Sequence, residues 1–309
     1  MFSLRSAREM RRRGAPFQGE IRHDHDRIRR ARLVRHRCST GLGREFARAA
    51  LAHGFRVVAT ARDPLSITDL VAGKEGQAIA LKLDVADPQA IAAAVKEAER
   101  TFGRIDVLIN NAGYGYMAAV EEGEDAAIRA QFETNFFGLA AMIRAVLPGM
   151  RKRRSGGIVN ISSVGGLRGS AAGGYYCATK HAVNGLSESL ALEVEPLGVR
   201  VMIVEPGPFR TDWGGRSLQR APANIADYEA TAHKRGREIA GYSGSQAGDP
   251  ARAAEAVIAA LLSANPPRHL VLGRFGLDIA RAKFNDMLRE LDAWETTSLG
   301  ADFPVAGAA

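Results

Sequence analysis

Tyr176 and Lys180 stand four residues apart in the run Tyr175-Tyr176-Cys177-Ala178-Thr179-Lys180, and Ser163 lies thirteen residues before Tyr176. On a helix, a spacing of four puts two side chains on one face. A phenol is a weak acid, with a reference pKa of about 10. A neighbouring ammonium favours the phenolate and lowers that value. A serine hydroxyl beside the phenol can hold a substrate oxygen. Together the three groups can move a proton on or off an alcohol or a carbonyl. Tyr175 lies five residues from Lys180, off that face, and Ser162 is one residue out of step. The seven histidines and two cysteines show no metal-ligand spacing.

Such groups need a rigid frame. Short apolar runs, rich in β-branched residues, occur at 55–60, 78–83, 105–110, 157–161, 199–204 and 269–272. Between them lie longer segments with helical spacing, at 91–101, 128–150, 176–193 and 250–262, and an amphipathic helix is expected over 277–294. Near-continuous apolar strands separated by helices predict a parallel sheet covered on both faces. That is an α/β, doubly wound, three-layer domain. No repeat or linker divides residues 38–309, which read as one domain. The segment of about 208–248, with the turns after Ser163 and Gly113, is expected to form a substrate wall, with Phe209, Trp213, Tyr114 and Tyr116 as candidates for its apolar surface.

Further motifs fall at strand ends. Thr40-Gly41-Leu42-Gly43 opens the first helix, and Asn110-Asn111-Ala112-Gly113 ends the strand at 105–110. Asn135 stands in Thr134-Asn135-Phe136-Phe137-Gly138, and Pro206-Gly207 is followed by Thr211. On these motifs, in this order, the chain from about Cys38 onward resembles the short-chain dehydrogenases/reductases, a Rossmann-like family. Within it, the chain is similar to bacterial oxidoreductases that look like hydroxysteroid and retinol dehydrogenases.

The resemblance implies an NAD(P)-dependent oxidoreductase that interconverts an alcohol and a ketone or aldehyde by hydride transfer. Tyr176 is then the general acid–base, and Lys180 lowers its pKa and bonds the nicotinamide ribose. Ser163 orients the substrate oxygen, and Asn135 holds a water in a proton relay. Gly41, Leu42 and Gly43 cradle the pyrophosphate, and Asp84 contacts the adenine. Asn110, Ala112 and Gly113 border the cofactor, as do Pro206 and Gly207, with Thr211 on the carboxamide. The family also implies a homodimer or homotetramer through the helices at 134–150 and 176–193.

The second strand speaks to the choice of cofactor. NAD-using relatives carry an acid at its end. Here Ala61 takes that place and Arg62 follows. A guanidinium suits a 2′-phosphate. The residues favour NADP(H), with NAD(H) as the alternative if Asp63 serves a ribose.

The first 37 residues depart from the family pattern. The family's turn reads Thr-Gly-x-x-x-Gly-x-Gly after an apolar strand. This chain has His36-Arg37 in place of the leading pair and Ala31-Arg32-Leu33-Val34-Arg35 in place of the strand. Residues 1–37 hold twelve arginines and four acids and so carry the whole net charge of +8. A degraded first strand is expected, because burying charge there costs several kcal/mol for each arginine. Read one base out of frame, codons for residues 32–37 permit Val-Trp-Phe-Val-Thr and, with one base restored before Cys38, a glycine. A one-base deletion near Arg37 accounts for this, and an intact frame in the DNA refutes it.

Other readings of the N-terminus fit less well. Glu9, Glu20, Asp24 and Asp26 disfavour a targeting peptide, and no groove-reading pattern supports a nucleic-acid arm. The alternative function is a catalytically impaired scaffold that has lost its first phosphate-binding glycine. The expected partner is a small alcohol or carbonyl substrate, with neither nucleic acid nor membrane involved. Two distant cysteines, and no apolar span or signal core, favour the cytoplasm.

Overall fold

Strands covered on both faces must be apolar almost throughout. β2 (Arg56–Ala61), β4 (Val107–Asn110), β6 (Gly156–Ile161) and β7 (Val199–Pro206) meet that demand and are buried over nearly their whole length. With β1 (Arg32–Arg35), β3 (Ala78–Lys82) and β9 (His269–Leu272) they form a seven-stranded sheet in the order β3-β2-β1-β4-β6-β7-β9. Every neighbouring pair in it is parallel. The computed structural model describes residues 32–35, 38–215 and 217–303.

Helices cover both faces. α1 (Gly41–Ala52) and α7 (Pro250–Leu262) pack on one side, where Phe46, Phe55, Ile109 and Val257 meet in a single apolar cluster. α2 (Pro88–Phe102), α4 (Gly138–Arg153) and α5 (Gly174–Val194) pack on the other, around Leu108, Met142, Ile158 and Val183. Two starts are set by one device: Asp87 and Asp249 accept backbone N–H bonds from Gln89 and Ala251, each with proline at the first helical position.

The first strand, degraded in sequence, still pairs within the sheet. β1 occupies its centre, with Leu33 and Val34 in register with β2 on one side and β4 on the other. Just beyond it, Cys38 N–H donates to the Thr60 carbonyl at 2.9 Å and extends the pairing. A parallel ladder is made by backbone groups, and every residue here supplies them whatever its side chain. The proposed out-of-frame segment otherwise lies mostly outside the described residues.

One further expectation needs revision. The helix read over 128–150 is interrupted. α3 (Asp125–Phe132) passes into a π-helical turn at Glu133–Phe137 before α4 begins. The segment at 208–248 has elements of its own. β8 (Leu218–Arg220) pairs parallel with β5 (Gly115–Met117), and α6 (Lys234–Gly241) follows. Finally α8 (Arg274–Ala293) runs from the end of β9.

From β1 the chain builds outward through β2 and β3, then returns to the centre and builds the other way from β4. A crevice forms at the carboxyl ends of strands where the order reverses in this way.

Candidate active site

α5 places Tyr176 and Lys180 one turn apart. Lys180 is only 5% exposed, and its ammonium donates to the Ile161 carbonyl at 2.8 Å. It stands 5.8 Å from the centre of the Tyr176 ring. Ser163 begins the turn after β6, where its Oγ accepts from Gly165 N–H at 3.0 Å and hydrogen-bonds the Tyr176 phenol. Ser162 is engaged elsewhere, its hydroxyl donating to the Lys180 carbonyl at 3.3 Å. Ser163, Tyr176 and Lys180 therefore meet in one place, at the carboxyl ends of β6 and β7.

Burial governs the acidity of both titrating groups. It pushes the Tyr176 phenol up to about 12, against the opposing pull of the Ser163 hydrogen bond. It brings the Lys180 ammonium down to about 8. The expectation of a phenol acidified by Lys180 is not met in this structure. Desolvation disfavours the phenolate, and the ammonium's bond goes to a carbonyl rather than to the phenol oxygen. Across neutral pH the Tyr176 phenol keeps its proton.

The π-helical turn explains how Asn135 reaches the site. A single-turn π-bulge re-aims side chains, and such bulges cluster at functional sites. Fully buried Asn135 accepts from Tyr114 N–H at 3.0 Å and donates to the Tyr114 carbonyl at 2.9 Å and to Thr179 Oγ1 at 3.1 Å. Thr179 in turn donates to the Tyr176 carbonyl at 2.7 Å. The carboxamide thus ties α5 to the segment after β4. Between them sits Gly113, where a Cβ would lie 3.2 Å from Asn135 Oδ1 and 3.6 Å from Lys180 Nζ.

These groups stand in a cleft of about 1020 Å³ that also takes in Thr40, Gly41, Leu42 and Gly43. Gly41 has φ +59°, and a Cβ there would meet Thr211 Cβ at 3.3 Å. Only glycine suits that conformation and that approach. The N-terminus of α1 lacks the aspartate cap of α2 and α7, since Thr40 makes no side-chain cap bond. Gly207 is as constrained, because a Cβ would come within 3.1 Å of Gly276 N. A close-walled turn at an uncapped helix N-terminus fits a dinucleotide's pyrophosphate.

The expected cofactor residues divide. Gly41, Leu42, Gly43, Gly113, Tyr176, Lys180, Pro206, Gly207 and Thr211 line the cleft, whereas Arg62, Asp84, Asn110 and Ala112 do not. Asn110 is turned into the protein, donating to Asn160 Oδ1 at 2.8 Å, and Asn160 donates to Ser187 Oγ at 2.8 Å. Side chains alternate along a strand, so the neighbour Asn111 faces the cleft instead. That alternation was the signal that could have found Asn111. Asp84 Oδ1 accepts from Ala86 N–H at 3.0 Å in its own turn.

The apolar wall is also reassigned. Phe209 and Trp213 line the cleft, and the Trp213 ring packs on Tyr176 with centroids 5.3 Å apart. Tyr116 is core, its hydroxyl accepting from Glu124 N–H at 2.9 Å. Tyr114 lies outside the lining and serves through its backbone. Met117, Cys177, Ile239 and Phe275 were missed as wall residues, because they come from four separate elements.

The chain is similar to known proteins in sequence and fold. The family described as short chain dehydrogenase matches residues 37–221. An oxidoreductase of the fungus Botryotinia fuckeliana, BOA17, is 38% identical over 265 residues, covering 85% of this chain and 96% of that one. The mouse 17-beta-hydroxysteroid dehydrogenase type 1 is 35% identical, covering 81% of this chain and 75% of its own. A short-chain dehydrogenase from Streptomyces avermitilis superposes with a TM-score of 0.82 at 40% identity, covering 88% of this chain and all of that one. The chain belongs to the short-chain dehydrogenase family of oxidoreductases.

Proposed function

We propose that this protein interconverts an alcohol and its ketone or aldehyde with NADP(H), with Tyr176 moving the proton. One observation carries the reading: Ser163, Tyr176 and Lys180 converge in the cleft that also holds the glycine turn of α1. When bound, the nicotinamide supplies or takes up the hydride. Gly41–Gly43 would hold its pyrophosphate, and Lys180, Pro206, Gly207 and Thr211 its nicotinamide half.

The chain's own residues handle the proton. Ser163 and Tyr176 present hydroxyls to one substrate oxygen. The protonated phenol donates to that oxygen as a carbonyl is reduced. In the reverse direction the phenol must first lose its proton, which costs free energy in this buried setting. The space kept open by Gly113, between Asn135 and Lys180, suits a relay that restores it. Trp213, Phe209, Met117 and Phe275 favour an apolar substrate body.

Three features support NADP(H) over NAD(H). Ala61 ends β2 where an acid would meet a ribose. Arg62 beyond it is exposed. Asp63 is engaged in its own turn, capping Leu65 N–H at 3.0 Å. Two buried free cysteines, Cys38 and Cys177, suit a reducing compartment such as the cytoplasm. Among the described residues, no helix is long and apolar enough to cross a membrane.

The test is fluorescence titration with NADPH and NADH, followed by a screen of ketones and alcohols on the wild type and Tyr176→Phe. Tight NADPH binding with turnover lost only in the variant supports the reading. Wild-type protein that binds neither nucleotide favours the scaffold reading, which the arginine at the first glycine position motivates.

A further inference from the structure

Beyond Lys283, α8 leaves the body of the protein, and every residue from Phe284 to Phe303 is exposed. On this projecting length Phe284, Met287, Leu288, Leu291 and Trp294 are 42–64% exposed. Their spacing of one, three and four residues gathers them into one stripe. A helix standing alone in water is marginal, and its stability comes from packing an apolar face. The described chain leaves this face open.

Charges flank the stripe in a pattern. At about 100° per residue, Lys283 and Glu290 lie along one edge, and Arg281 and Asp292 along the other. Among the described residues none of these four has an ion-pair partner, whereas Arg289 and Asp286 on the polar back are paired with each other. On each edge the cation comes first and the anion follows. An antiparallel helix of identical sequence, related by a two-fold axis between Asp286 and Met287, matches both edges at once. Lys283 of each copy then faces Glu290 of the other, and Arg281 faces Asp292. A parallel copy would set Lys283 near Arg281 and Glu290 near Asp292, like against like.

We propose that the projecting half of α8 is a self-association surface, on which a second copy of this chain seats its own α8 antiparallel. The contact is isologous and closes on itself. Edges carrying two cations and two anions fit an identical partner better than an anionic lipid surface, which calls for an excess of lysine and arginine. The first turns of the same helix contribute Phe275 and Ile279 to the cleft. Pairing therefore braces that wall without touching the reacting groups.

Sedimentation of the full chain, with circular dichroism as a control on folding, tests the proposal. Lys283→Glu and Glu290→Lys should each weaken association by roughly tenfold or more, because each sets like charges opposite one another. Leu291→Glu should halve the assembly mass with helicity kept. An equimolar mixture of the two charge variants, and the double variant K283E/E290K, should each recover the wild-type mass. A wild type that does not associate overturns the idea. So does a mass indifferent to all these changes, a mixture that fails to recover, or wild-type monomers that float with phosphatidylcholine vesicles.

Discussion

The two ends of the cleft are built by different means. At the end we propose for the chemistry, the candidate groups are side chains, and each is fixed by a hydrogen bond: Lys180 to Ile161, Asn135 to Tyr114 and Thr179, Ser163 to Gly165. At the end we propose for the nucleotide, the candidate groups are those of the backbone in the turn of Gly41 and Gly43, and Gly41 leaves no room for a side chain against Thr211. A single altered side chain can therefore abolish the chemistry while the fold persists. Crowding of the turn should instead erode binding while the chemistry survives.

The largest test of this contrast is Tyr176→Phe, which should lower kcat by about 10³-fold and leave NADPH affinity nearly unchanged by fluorescence titration. Gly41→Val should do the opposite, because a branched side chain at φ +59° is strained and meets Thr211. Affinity for NADPH should drop by roughly ten- to a hundredfold, with kcat at saturation close to wild type. Equal losses of kcat and affinity in both variants would erase the distinction.

A third test reads Lys180 through stability. Its folded pKa is about 8, against 10.5 for an ordinary lysine. Below about 8 the folded protein holds a buried charge and bears the full penalty. Between 8 and 10.5 the unfolded chain binds more protons, so stability rises with pH, by about 3 kcal/mol at most. Tyr176 acts in the other sense: its folded pKa of about 12 lies above the ordinary 10, so stability falls as pH climbs between them. Denaturant unfolding at pH 7 and pH 9.5 should show the rise, and Lys180→Met should flatten it. The smallest effect is at Arg62, whose replacement by serine should narrow the preference for NADPH over NADH by about tenfold. An unchanged ratio would remove Arg62 from cofactor choice.

The sequence carried the sheet well, because strands buried on both faces leave an unmistakable apolar record. It carried Ser163, Tyr176 and Lys180, because a turn-sized spacing and a fixed upstream distance survive without coordinates. It could not show the π-turn that aims Asn135, since a helix that gains one residue keeps almost the same apolar periodicity. Nor could it show β5 and β8, three-residue strands that pair across a hundred residues of chain. Asn110 was misjudged because motif matching ignores which way a strand points each side chain. β1 pairs in spite of its arginines, because the backbone's pairing capacity is not recorded in charge content.

Glu122 carries a consequence for how this protein can change. Its carboxylate accepts from the N–H groups of Asn224 and Ile225, both at 2.7 Å, and pairs with His233 at 2.8 Å. The bond to Glu122 leads the causes that raise the His233 pKa, so the imidazole favours its charged form. Two of the three attachments are to main chain, indifferent to residue type. One latch on the scaffold thus secures the 208–248 segment, which walls the cleft through Phe209, Trp213 and Ile239, while leaving its composition free to drift. The segment's side chains can be exchanged there without reinventing how it is moored.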